Sequence, residues 1–291
     1  MSFYFNIATD KTVTADQILE ALGRPEVSVD DNKMIFHIPG KSLRGACVYH
    51  SDEGYEVGVN AFTPKTDARL TRDVAAAIAW LTGASVVPED SEDSFSPEYI
   101  ADYGGEDWVA ERFDEAYFLA RRPDDAAEGG PLSVAGYKRT FAVTPDMFEQ
   151  DAGSLEDAIR AVMQVGIDLQ TLDDREDIFA ASLMSFTPPA APPQSTLRRM
   201  FGLSKPVSNV REPYTAFFIG PDVRTLTPYN ETSDPFYVHL SVDQKAVFRL
   251  PADDFFAYAE AAGARAYGAQ VYDITISQAD HAKLMQQAEP A

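Results

Sequence analysis

The sequence predicts an α+β fold, in which mixed or mainly antiparallel sheets have helices interspersed between them. Strand-like runs come in pairs rather than one before each helix, which is typical of antiparallel sheets. The first eight residues place Phe3, Phe5 and Ile7 at alternate positions, as a strand buried on one face requires. Residues 45–50 and 55–62 flank a turn that contains glycine, which predicts a hairpin.

Helices are indicated by their start and stop signals. Thr14 opens a Thr-Ala-Asp-Gln capping box, and Gly23 ends the same helix before a proline. Ser96 is a second N-cap, because Pro97 occupies the first helical position after it. The longer predicted helices span residues 14–23, 71–83, 106–121, 154–165, 253–263 and 278–287. The other predicted strands span residues 34–38, 137–144, 178–186, 214–219, 236–240, 246–250 and 269–276.

The organisation along the chain predicts two lobes. Residues 1–122 form an N-terminal α+β lobe, and residues 137–291 form a C-terminal α+β lobe. Residues 123–136 are a linker or loop, because charged residues, glycine and proline leave little there to bury. Residues 187–213 contain six prolines and predict a long Pro-rich, basic excursion from the second lobe.

Two segments share a pattern that would fit similar lobes. Residues 141–148 and 248–255 each contain a strand that ends in proline and a helix that starts with an acidic residue. Proline and aspartate favour helix starts in any protein, so this pattern also arises without duplication. Similarity between the two lobes therefore stays open.

Negative charge is concentrated in one seventh of the chain. The protein has 46 acidic and 24 basic residues, a net charge of −22, and residues 89–128 hold 14 acidic residues and three arginines. This segment thus carries half of the net charge, and it is rich in aromatic residues. Opposite potentials steer encounters and aromatic anchors hold complexes, so the segment predicts a docking surface for a basic protein. The alternative explanation is general solubility, because this composition also fits the proteome of a salt-adapted or high-GC bacterium.

The helix predicted at 106–121 removes some aromatic residues from the predicted docking surface. Its buried stripe holds Val109, Phe113, Ala116, Tyr117 and Ala120, so Phe113 and Tyr117 belong to the core. The predicted partner-binding residues are therefore Glu89, Asp90, Glu92, Asp93, Glu98, Tyr99, Asp102, Tyr103, Glu106, Asp107 and Trp108.

Motifs of enzymes and metal sites are missing from the sequence. There is no Gly-x-Ser-x-Gly elbow, no phosphate-binding glycine loop and no dinucleotide fingerprint. The four histidines, none at His-x-x-x-His spacing, are His37, His50, His239 and His281. Cys47 is the single cysteine and excludes an internal disulfide. We expect no catalytic residues, no metal and no cofactor.

Charge and hydropathy also limit the classes of partner that the protein can bind. A net charge of −22 argues against binding nucleic acid or anionic membrane. Residues 74–80 are the longest apolar helical run and are too short to span a bilayer, and no signal peptide is visible. We expect a cytoplasmic protein. The basic residues of the excursion, Arg198, Arg199, Lys205 and Arg211, favour docking onto the protein's own acidic surface or onto an acidic partner.

These observations predict a non-catalytic protein that binds a basic partner. In size, charge and absence of active-site motifs the chain resembles the acidic immunity proteins that bacteria keep in the cytosol to neutralise a toxin. The resemblance implies inhibition by occlusion, in which carboxylates pair with the Lys and Arg of the toxin's cleft. Two alternatives stay open: an enzyme whose active site is dispersed along the sequence, and a structural protein that self-associates. The oligomeric state is not predicted.

Overall fold

The protein has an α+β fold with mainly antiparallel sheets, as the sequence predicts. The computed structural model describes residues 2–30, 33–120, 131–148, 153–172, 178–187, 212–232, 234–242 and 245–290. The contacts divide the chain into two compact units, the first made of Met1–Leu172 with Tyr267–Ala269 and the second of Asp173–Ala266 with Gln270–Ala291. This division falls after the predicted 123–136 linker, of which 123–130 lie outside the described residues and Leu132–Ala135 form a strand.

The helices of the first unit are α1 (Ala15–Leu22), α2 (Lys65–Thr82), α3 (Pro97–Ala101), α4 (Gly105–Ala120) and α5 (Leu155–Thr171). Its strands are β1 (Phe3–Ala8), β2 (Ser28–Asp30), β3 (Ile35–His37), β4 (Ala46–Ser51), β5 (Gly54–Val59), β6 (Val87–Pro88), β7 (Leu132–Ala135) and β8 (Thr140–Val143). The first six strands form one antiparallel sheet in the order β2-β3-β4-β5-β1-β6, and β7 pairs with β8 in a hairpin.

The core of the first unit lies between the sheet and α2. Phe3, Phe5 and Ile7 alternate on the buried face of β1, as predicted, and pack with the apolar side of α2, including Val74 and Ile78. The predicted capping box of α1 is confirmed. Helix α2 begins six residues earlier than predicted.

Within its described residues, the second unit contains two sheets and two helices. Its helices are α6 (Ala252–Ala261) and α7 (Gln278–Gln287). Its strands are β9 (Phe179–Ala180), β10 (Met184–Phe186), β11 (Tyr214–Ile219), β12 (Arg224–Leu226), β13 (Phe236–Val242), β14 (Lys245–Pro251), β15 (Arg265–Ala266), β16 (Tyr272–Thr275) and β17 (Glu289–Pro290). The sheet orders are β10-β11-β13-β14-β17 and β15-β16-β12-β9, with parallel pairs β11–β13 and β12–β9.

One predicted strand of this unit is wrong. Residues 178–186 were expected to form a single buried strand, but they form β9 and β10, which belong to different sheets. Both residues of β9 are exposed, so residues 178–186 lack the continuous burial that a single core strand would have. Most of the predicted excursion, residues 188–211, lies outside the described residues. Among the helices described, none has the length and apolarity that crossing a bilayer requires.

Candidate functional site

The predicted partner-binding residues lie on the segment that leads from β6 to the start of α4. This segment is fastened to the edge of the sheet at Glu89. The N–H of Glu89 donates to the carbonyl of Tyr4 at 2.9 Å, and the N–H of Tyr4 donates to Oε2 of Glu89 at 3.1 Å. The segment therefore begins at a fixed position beside β1.

Helix α3 forms at the predicted cap. The hydroxyl of Ser96 accepts a hydrogen bond from the N–H of Tyr99, and Pro97 occupies the first turn. A hydrogen bond from its own backbone amide and a second from Ser96 lower the pKa of Glu98, which keeps that carboxyl ionised at the helix start. Tyr99 is 55% exposed and its ring stacks on Phe95 at 4.7 Å between centroids.

Tyr103 connects the acidic segment to the core. Its ring packs edge-on against Phe5 at 5.7 Å, and its hydroxyl donates to Oδ1 of Asp90 at 2.6 Å. Partial burial, and then the Asp90 hydrogen bond and charge, raise the pKa of Tyr103 well above its usual value. The phenol stays protonated and holds Asp90 in place.

Trp108 is buried, at 4% exposure, so its ring is not part of the exposed surface. Its ring packs edge-on against Phe3 at 5.4 Å between centroids, and the guanidinium of Arg72 lies 5.6 Å from the ring centroid. The buried stripe of α4 includes Trp108 as well as Val109 and Phe113, because an apolar helix face is wide enough to hold adjacent positions. We therefore remove Trp108 from the predicted surface. The side chains of residues 116, 117 and 120 lie outside the described part.

Arg72 holds α3 and α4 against α2. This guanidinium is 5% exposed and donates to the carbonyls of Tyr103 at 2.8 Å and Gly105 at 2.9 Å. The guanidinium of Arg72 thus binds backbone carbonyls of the segment and does not neutralise the exposed carboxylates.

All eight acids of the predicted surface are exposed, including Glu89 and Asp90, which accept the hydrogen bonds from Tyr4 and Tyr103. We call these eight exposed residues the acidic surface: Glu89, Asp90, Glu92, Asp93, Glu98, Asp102, Glu106 and Asp107. Within the described residues, Glu106 alone among them forms an ion pair, with Arg69, whose Nε lies 3.0 Å from Oε1. That hydrogen bond lowers the pKa of Glu106. The structure thus brings the predicted acids together on one segment, with Tyr99 as the exposed aromatic residue.

The structure also contains a cleft that the sequence reading missed. We call it the helix cleft: it has a volume of about 910 Å³ and is bordered by residues of α1, α2 and α3, among them Leu22, Ala76 and Ala101. Trp80 lines it and is 65% exposed. The sequence did carry a signal for this residue, because helical spacing puts Val74, Ile78 and Leu81 on one face and Trp80 on another.

An ion pair closes one side of the helix cleft. Nη1 of Arg24 donates to Oδ2 of Asp73 at 2.6 Å, and Nε of Arg24 donates to Glu26 at 2.9 Å. Burial raises the pKa of Asp73, and the charge and hydrogen bond of Arg24 oppose that shift. This ion pair joins the segment that follows α1 to α2.

The histidines are not assembled into a metal site. Among the described residues, no group of three or more His, Cys, Asp or Glu is placed to hold a metal ion. His239 lies among aromatic rings and His37 stacks on Tyr137 at 3.9 Å between ring centroids.

Compared with family models, with curated proteins and with solved structures, the chain matches none of them.

Proposed function

We propose that this chain is a non-catalytic protein that binds a basic protein partner through the acidic surface. The observation that carries the proposal is the exposure of eight carboxylates between Glu89 and Asp107, a stretch without a single Lys or Arg. Closely spaced like charges create a strong negative potential, which attracts a positive surface and accelerates its association. Within the described residues, Arg69 is the basic side chain that pairs with a carboxylate of this surface.

The mechanism that we propose is occlusion. The carboxylates pair with Lys and Arg around a cleft of the partner, and Tyr99 packs against the same site. In its narrower form the proposal is a bacterial immunity-type protein that neutralises a basic toxin or enzyme in the cytoplasm. The buried free thiol of Cys47 is compatible with a reducing compartment.

The test is charge reversal on the acidic surface. A variant with Glu92, Asp93, Asp102 and Asp107 changed to Lys should associate more slowly with the partner captured from an extract of the source organism. A matched control reverses four exposed acids at the other end of β1 and in its neighbouring hairpin: Asp10, Asp52, Glu53 and Glu56. The control changes the net charge equally, so a difference between the two variants reports the position of the charges.

Association rates should be measured at two salt concentrations. The wild type and the control should lose rate steeply as salt rises, whereas the surface variant should be slow at both concentrations. Equal capture by the two variants would refute the proposal. A mass that grows with protein concentration would instead favour self-association.

A further inference from the structure

Trp80 is the most exposed large apolar side chain among the described residues, at 65%. It lies in the last turns of α2, at the helix cleft, and not on an isolated part of the surface. Tryptophan is enriched among the residues that dominate protein interfaces, because a large apolar ring becomes buried on binding. An exposed tryptophan beside a cleft therefore suggests a binding position for a side chain of a partner.

The lining of the helix cleft is made largely of small and apolar residues. Ala21, Ala76 and Ala101 come from three different helices and leave room between them, and Leu22 and Leu81 add apolar surface. Helices that border a groove of this kind bind an amphipathic helix, whose apolar side chains enter the groove at helical spacing. The apolar lining from three helices therefore favours a helical occupant.

The charges around the cleft specify the occupant further. The lining residues include three acids, Glu20, Asp73 and Glu98, and a single cation, Arg24. Arg24 is already engaged by Asp73 and Glu26, whereas Glu20 and Glu98 are exposed and form no ion pair within the described ranges. The electron-rich face of Trp80 also attracts cations. The cleft is thus complementary to Lys or Arg next to an apolar helix face.

We propose that the helix cleft binds a basic amphipathic helix of the protein partner. The apolar face of that helix enters between α1 and α2, and its Lys or Arg side chains lie beside Trp80, Glu20 and Glu98. This inference rests on the proposed function, because Glu98 belongs to both the acidic surface and the cleft. It adds a defined apolar anchor beside the acidic surface and Tyr99.

Fluorescence of Trp80 tests the proposal. The protein has two tryptophans, so a Trp108→Phe background leaves Trp80 as the only indole. The probe is a peptide of Leu and Lys at amphipathic helical spacing, about five turns long. A Lys/Ser peptide of equal charge and a Leu/Glu peptide of equal apolarity are the controls. The Leu/Lys peptide should lower acrylamide quenching of Trp80 towards the level of the buried Trp108, measured in a Trp80→Phe variant.

Affinity measured by calorimetry provides the second readout. Trp80→Ala should weaken binding of the Leu/Lys peptide about tenfold or more, as truncation of an aromatic anchor does. The matched control is Tyr49→Ala, which removes an aromatic residue that is 52% exposed on β4 and should leave the affinity unchanged. Glu20→Lys should also weaken binding of this peptide, and it changes the cleft without changing the acidic surface. Melting temperatures establish that the variants are folded.

The outcomes separate this inference from the proposed function. If the Leu/Lys and Lys/Ser peptides bind equally and leave Trp80 quenchable, the cleft proposal fails while the acidic surface keeps its support. If the Leu/Lys peptide protects Trp80 while the surface variant associates with the protein partner as fast as its charge-matched control, the cleft proposal holds and the docking role of the acidic surface loses its support. Equal protection by the Leu/Glu peptide overturns the assignment of a basic occupant. No protection by any peptide overturns the cleft proposal.

Discussion

The N–H of Gly45 donates a 2.9 Å hydrogen bond to Oδ2 of Asp67, a carboxylate that is completely buried in the first turn of α2. The N–H groups of Leu43 and Arg44 donate to the same oxygen at 2.9 and 2.8 Å. Gly45 has φ of +70°, and a Cβ there would lie 2.4 Å from the carbonyl oxygen of Phe36. A single side chain of α2 thus fixes the turn that enters β4.

Replacement of Asp67 should therefore destabilise the protein strongly. Asp67→Ala leaves three backbone donors without their acceptor, and we expect a loss of about 3 kcal/mol or more in the free energy of unfolding. Asp67→Asn keeps one acceptor oxygen in nearly the same shape and should cost less. Urea denaturation of both variants measures the difference. Equal losses for Asn and Ala would show that the hydrogen bonds to Oδ2 are not what fixes the turn.

Trp108 should be replaceable by Phe but not by Ala. Its ring contacts Phe3 and Arg72, whereas its Nε1 has no hydrogen-bond acceptor among the described residues. Phe preserves much of the packing and removes that buried donor, so we expect Trp108→Phe to change the unfolding free energy by about 1 kcal/mol or less. Trp108→Ala leaves a cavity and should cost about 3–5 kcal/mol.

Thermal and urea unfolding check this pair of variants. Partner association should be preserved in Trp108→Phe, because the ring is buried beneath the acidic surface and not part of it. Slower association in a fully folded Trp108→Phe protein would contradict the burial of this residue during binding.

The features that the sequence predicts well are those with local causes. The α1 capping box needs only Thr14 and Gln17, and the burial of Val109 and Phe113 follows from helical spacing. The acidic surface was also predictable, because eight carboxylates on one short segment have too few partners to be buried together. Charge density alone thus predicted that these carboxylates are exposed.

The features that the sequence could not predict depend on distant contacts. Helix α2 begins at Lys65 after Pro64, which makes no side-chain cap, and its first turn is held by Asp67 through the amides near Gly45. The burial of Trp108 similarly depends on Phe3 of β1, more than a hundred residues away in sequence. The helix cleft requires three helices to meet, so Trp80 gains its significance only in the folded protein.

Stability should fall as pH drops, because His239 is buried in its neutral form. His239 is 2% exposed and lies 4.8 Å from the ring of Phe186 and 5.0 Å from that of Phe218. Burial, and then the charge of Arg249, lower its pKa, so the unfolded chain binds the proton more tightly than the folded one. The contribution of neutral His239 to the free energy of unfolding is fully present above the unfolded-state pKa of about 6.5. Below that pH it declines, by at most about 1.4 kcal/mol per pH unit for this histidine.

Urea midpoints between pH 7.5 and 5.5 should therefore decrease less in His239→Leu than in the wild type. His281, whose pKa is also lowered by burial, accounts for part of the remaining decrease. Parallel pH profiles of a folded variant and the wild type would contradict this role of His239.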